Sequence, residues 1–148
     1  MRVRLDELHV TLGGYDQHMI VASLLFALLA GLLHVYIFSM ESITWTRPAT
    51  WKRFSVASQS DAETTKPLAY NQGFYNLFLA IGALAGIVFV AFGHPQVGWT
   101  LVFSSCGSML LAAIVLALSG KKYLRAAALQ GTTPLLAVVL GILAVTLA

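Results

Sequence analysis

The sequence predicts an all-α polytopic membrane protein: a single domain over residues 1–148 that forms a four-transmembrane-helix bundle, with both termini outside. Three observations lead there. Hydrophobic residues make up 58% of the chain and charged residues only 10%, where a soluble domain carries roughly 25% charged residues; the mean hydropathy is +0.80. The apolar residues gather into four stretches, each long enough at about 1.5 Å per helical residue to cross a hydrocarbon layer of roughly 30 Å. No charged residue occurs between Lys66 and Lys121, so two of those stretches follow one another with only a short link.

Composition also limits function. The net charge of +3 and isoelectric point near 9.3 would suit nucleic acid in a soluble chain. In one this apolar, basic residues belong in cytoplasmic loops facing anionic lipid. Membrane lipids are therefore the expected partners, and nucleic acid is not. The lone cysteine, Cys106, lies inside an apolar stretch, which rules out an internal disulfide and any thiolate pair for a metal.

Taken in order, residues 1–19 are mixed and form a lead-in, with the Gly13–Gly14 pair expected to interrupt any helix. Asp6, Glu7 and Asp16 spoil the positive flank that a signal peptide would need. The first span covers residues 20–40; His34 is its one strongly polar member, and Glu41 follows directly. The long loop, residues 41–67, places Trp45 and Trp51 beside Arg47, Lys52 and Arg53. Tryptophan next to basic residues marks a membrane–water boundary, so these rings, with Tyr36 and Tyr123, are expected in the aromatic belt. Its polar part, residues 55–65, holds a short surface helix or none.

The second span covers residues 68–92 and opens on Asn71-Gln72-Gly73-Phe74-Tyr75-Asn76. Gly93, His94, Pro95 and Gln96 make a link short enough to force an antiparallel pair with the third span, residues 97–118. After a second short link the fourth span covers residues 124–147. One face of the bundle carries Arg2 and Arg4; the other carries Arg47, Lys52, Arg53, Lys66, Lys121, Lys122 and Arg125. That asymmetry places the long loop in the cytoplasm. Small residues four apart give each span a close-packing stripe: Ala27 and Gly31, Gly82 and Gly86, Ser104 and Ser108, Ala137 and Gly141. Small bundles of this kind commonly associate, so a homo-oligomer, dimer or trimer, is expected.

The candidate ligand-binding residues are His34, Glu41, Asn71, Gln72, Tyr75, Asn76 and Gln130. An amide or carboxylate in hydrocarbon needs a partner, because leaving one unpaired costs several kcal/mol. The topology brings all seven toward the cytoplasmic half. Glu41 ends the first span, and His34 lies seven residues earlier on the same face. Gln72 and Asn76 share a face of the second span, with Asn71 and Tyr75 in the neighbouring row. Gln130 lies early in the fourth. Each also has a structural reading. His34 and Gln130 serve as interhelical hydrogen-bond partners, Glu41 pairs with Arg47 or Arg53, and one or two of the amides cap the second helix. No catalytic residue stands out. His9, His18 and His94 lack metal-ligand spacing, and no cofactor is called for.

Three pieces of the chain resemble the bacterial domain-of-unknown-function family 1304: His34, Ile37, Met40, Glu41 and Trp45; the string Asn71-Gln72-Gly73-Phe74-Tyr75-Asn76-Leu77-Phe78-Leu79-Ala80; and Leu129-Gln130-Gly131 with Pro134. The resemblance covers roughly residues 20–147. It implies a small four-span protein of the bacterial inner (plasma) membrane and no particular chemistry. The layout is also similar to that of the membrane-associated eicosanoid and glutathione metabolism proteins, four-span trimers with an Asn-x-x-Glu motif opening the second span. Asn71 matches that Asn, but Phe74 stands where the Glu would be.

On these grounds the chain is expected to bind or transport a small or amphipathic molecule through a cytoplasm-facing polar pocket. Two alternatives stand beside that reading. One is a membrane-embedded enzyme with His34 as acid or base; the other is a structural or accessory subunit whose amides only join helices.

Overall fold

The computed structural model describes the backbone of residues 5–147 and the side chains of residues 17–147. Expectations resting on Arg2, Arg4 and the side chains of residues 5–16 lie outside what is described. The chain is helical almost throughout, and four of its helices are long and apolar enough to cross a membrane: Gln17–Ile43, Gln59–Ala91, Pro95–Leu118 and Lys121–Leu147.

Helix α1 runs Leu5–Phe38, straight through Gly13 and Gly14. The expected interruption does not occur. A glycine in a helix interior costs only about 1 kcal/mol relative to alanine, which neighbouring helix formers on both sides absorb. The helix then widens into a π-helical turn, Ser39–Ile43, closed by the Thr44 amide donating 3.0 Å to the Ser39 carbonyl. A four-residue helix α2, Pro48–Trp51, and a 3₁₀ turn, Lys52–Phe54, fold the loop back over the bundle end. Trp45 and Trp51 are buried here. Trp45 Nε1 donates to the Ala62 carbonyl at 2.9 Å and Trp51 Nε1 to Gln59 Oε1 at 2.9 Å. These two rings therefore pin the loop to the next helix and are not spread in a lipid-facing belt.

Helix α3, Gln59–Ala91, begins far ahead of its apolar stretch. Ser58 caps it: its hydroxyl accepts from the Asp61 amide at 3.1 Å and donates to the Asp61 carboxylate at 2.7 Å. The helix continues across Pro67. Asn71, Gln72 and Asn76 thus sit about three to five turns inside a helix, so the capping role considered for them falls away. Helix α4 is Pro95–Leu118, and α5, preceded by a 3₁₀ turn at Lys121–Tyr123, is Leu124–Leu147.

The four long helices form a ring in chain order: α1 beside α3, α3 beside α4, α4 beside α5, and α5 back against α1. Small residues let them close. A methyl added at Gly86 would lie 2.8 Å from the Gly98 carbonyl oxygen and 2.9 Å from the Val102 amide nitrogen, so α3 and α4 meet backbone to backbone. On α5, Gly141 leaves room for Ser23, whose hydroxyl donates 2.7 Å to the Ala137 carbonyl. The expected stripe on the third span is displaced: Ser104 and Ser108 are exposed and bond to their own helix, while Gly98, Ser105 and Cys106 face inward. The core of Ala27, Ala30, Ala83, Val102, Cys106, Met109 and Ala137 is made mainly of small side chains, as close helix approach requires.

Candidate functional site

The polar groups of α1 lie on its inward stripe. Ser23, Ala27, Ala30, His34 and Glu41 are all buried, at spacings of three, four and seven, so one face of the helix turns both ionisable side chains into the bundle.

His34 is wholly buried. Its Nδ1 lies 2.8 Å from the Ala30 carbonyl oxygen. A carbonyl can only accept, so Nδ1 carries the proton and Nε2 is left as an acceptor. Among the described residues that Nε2 has no partner, and neither does the hydroxyl of Thr133 on α5.

Glu41 sits in the π-helical turn and is 8% exposed. One oxygen, Oε2, accepts 2.8 Å from Asn76 Nδ2. The same amide nitrogen also donates to the Gln72 carbonyl at 3.1 Å, which holds it in place. Neither arginine considered for Glu41 takes that role: Arg53 donates 2.7 Å to the Tyr36 hydroxyl instead. His34 and Glu41 each bond elsewhere, so they form no dyad.

Beneath this pair α1 and α3 are in tight contact. A methyl on Gly73 would overlap the Ser42 hydroxyl and lie 3.1 Å from Glu41 Cβ and from the Ser42 amide nitrogen. The Ser42 hydroxyl bonds across the seam to the Tyr70 carbonyl at 2.9 Å. Beside the seam Phe74, the residue in the place of the glutathione-protein Glu, packs edge-on to Phe38 at 5.2 Å.

A cleft of about 290 Å³ opens next to the seam, lined by Glu41, Trp45, Val56, Thr65, Leu68, Ala69 and Gln72. Glu41 Oε1 has no hydrogen bond from any described residue and is not fully enclosed, and Glu41 is one of the residues on the cleft wall. Thr65 is already satisfied, donating 2.7 Å to the Asp61 carbonyl, and Trp45 has spent its N–H on Ala62. The cleft thus offers one free carboxylate oxygen, one free amide at Gln72, an indole ring and apolar walls.

The seven candidates accordingly divide. Glu41 and Gln72 line the cleft, and Asn76 bonds Glu41 beside it. His34 lies two turns further along the same stripe, enclosed. Asn71 and Tyr75 are exposed on the outer side of α3, Tyr75 by 58%. Gln130 is half-buried on α5, the helix diagonal to α3. Trp45, read from the sequence as a belt residue, and Thr65 line the cleft without having been named as site residues; a tryptophan four residues past a span-ending glutamate was the available signal. Among the described residues no three His, Cys, Asp or Glu side chains gather as a metal site would need.

Searches of curated proteins and of solved structures return no match. The family described as Protein of unknown function (DUF1304) matches over residues 28–142, a span that holds His34, the Glu41–Asn76 pair, the whole cleft lining and Gln130. With that match extending over most of its length, the chain belongs to the DUF1304 family.

Proposed function

We propose that the protein binds a small or amphipathic molecule at the cleft between the loop end of the first span and α3 and passes it into or across the membrane from the loop side. The observation that carries this reading is Glu41: a carboxylate at the end of a membrane span with one oxygen held by Asn76, the other without a described donor, and a cleft at its side. Asn76 occupies only one of the two oxygens, so the other remains able to accept a hydrogen bond or a cation. The excess of Lys and Arg at the loop end supports a cytoplasmic entrance. Asn71 and Tyr75, outward on α3, lie where lipid or a second copy in a dimer or trimer would meet them.

The test is native mass spectrometry after extraction in a mild detergent. A non-protein mass is expected on the wild-type chain and absent from Glu41→Gln; no adduct on either, from several detergents, would overturn the reading. Proteoliposomes loaded with the identified molecule then separate carriage from binding. Flux that Glu41→Gln abolishes is the expected result.

A further inference from the structure

Building on that reading of the cleft, we infer that its ligand is an amphipathic amine, whose ammonium head takes Glu41 Oε1 as counter-ion while its hydrocarbon tail lies along the apolar wall of Val56, Leu68 and Ala69.

The argument is one of charge balance. Between Asp16 and Asp61 the only acidic residue is Glu41, and the spans that follow carry no charge from Lys66 to Lys121. No Lys or Arg lines the cleft. Of the loop's basic residues, Lys52 lies over the Trp51 ring at 5.5 Å and Arg53 bonds Tyr36, while neither Arg47 nor Lys66 lines the cleft. Asn76 neutralises nothing; it supplies one dipole to one oxygen. An ionised carboxylate here thus has no positive partner among the described residues, and an ammonium group would supply one.

The walls select further. Trp45 has its N–H committed to Ala62 and Phe54 packed against its ring at 5.1 Å, so the small part of it that borders the cleft offers a ligand ring edge or face and no donor, which suits a cation better than an anion. The Gln72 side chain is free to accept a second ammonium hydrogen through its carbonyl oxygen. Val56, Leu68 and Ala69 complete an apolar border suited to the first methylenes of a tail. An anionic head, whether a phosphate or a free carboxylate, would face Glu41 directly and be repelled. A neutral alcohol could bond to Oε1 but would bring no charge.

A head-group series on one tail tests this with the unmodified chain in phosphatidylcholine nanodiscs: decylammonium, decanol and decyl sulfate, with saturable binding above bilayer partitioning read by isothermal titration. Decylammonium is expected to bind one per chain and at least about tenfold more tightly than decanol, with no saturable decyl sulfate binding. Glu41→Gln, which can keep the bond to Asn76, is expected to bring the amine down to the affinity of the alcohol; Glu41→Asp keeps the preference for the amine even where packing suffers. Decanol or decyl sulfate binding as tightly as the amine, or an amine affinity unchanged in Glu41→Gln, overturns the amine and leaves the cleft as a site. Saturable binding by none of the three overturns both this inference and the reading beneath it.

Discussion

Two clefts of nearly the same size open on this bundle, and they differ in everything but size. One, about 310 Å³, lies between α4 and α5 and is walled by Leu110, Ala113, Ile114, Ala117, Leu124 and their neighbours. Its one hydroxyl, Thr132, donates 2.7 Å to the Ala128 carbonyl of its own helix. The other, about 290 Å³, holds Glu41 and Gln72. In a bilayer the first asks for nothing that an acyl chain does not supply, because lipid tails are as apolar as leucine. The second contains an oxygen that no acyl chain can satisfy. Volume alone would set the two level; what separates them is the accounting of polar atoms.

The seams behind the clefts differ in the same way. At Gly73 the α1–α3 contact sets a helix against the Ser42 and Glu41 backbone region, while at Gly131 the α4–α5 contact sets α5 against the Ala113 methyl at 2.9 Å. The largest expected effect follows. Gly73→Leu should cost about 3 kcal/mol by overpacking and should also part Glu41 from Asn76, read as reversible unfolding in mixed micelles together with loss of the bound adduct. Gly107→Ala, where an added methyl meets nothing within 4 Å, should leave stability within about 0.5 kcal/mol of wild type. If Gly73→Leu is as mild as Gly107→Ala, the two seams are not different in kind.

The next effect in size concerns the bond that orients the carboxylate. Asn76→Ala removes the only described donor to Glu41 and leaves a buried acceptor unpaired, at an expected cost of about 1–2 kcal/mol. Thr132→Ala, in the other cleft, removes a hydroxyl that bonds only its own helix and should cost under about 0.5 kcal/mol. Equal losses for the two, measured by the same unfolding assay, would break the distinction drawn from their polar atoms.

The division between the clefts was half visible before the structure. Four apolar stretches and short links were enough for the bundle, because a helix is the one open-chain form that satisfies its own backbone in lipid. Span length and loop position likewise put Glu41 and Asn76 at one end. Rotation about the helix axes was another matter. Asn71 and Asn76 differ by five residues, so they point to different sides; which side faces the bundle depends on Gly73, whose missing side chain lets α1 approach there. The start of α3 could have been read: Ser58 with Asp61 three residues on is a capping pattern. The π-helical turn and the inward tryptophans could not, since both depend on how α2 and α3 meet the end of α1, a tertiary contact with no local signature.

The smallest expected effects sharpen the comparison most, because they come from filling each cleft with one leucine side chain. Ala117→Leu places methyl groups where an acyl chain lies. Trading lipid contacts for leucine contacts is close to neutral in a membrane, so stability should shift by under about 0.5 kcal/mol and decylammonium affinity should not change. Gln72→Leu adds the same kind of bulk to the other cleft and removes its free amide. Stability should again move little, because Gln72 is exposed and its side chain makes no hydrogen bond to the described residues. Amine affinity, in contrast, should fall by about tenfold, the worth of one hydrogen bond to a charged head. Paired titrations of the two variants in nanodiscs check both halves. A fall in amine affinity in Ala117→Leu would move the site to the α4–α5 groove, and an unchanged affinity in Gln72→Leu would leave Glu41 and the Trp45 ring to hold the head-group without the amide.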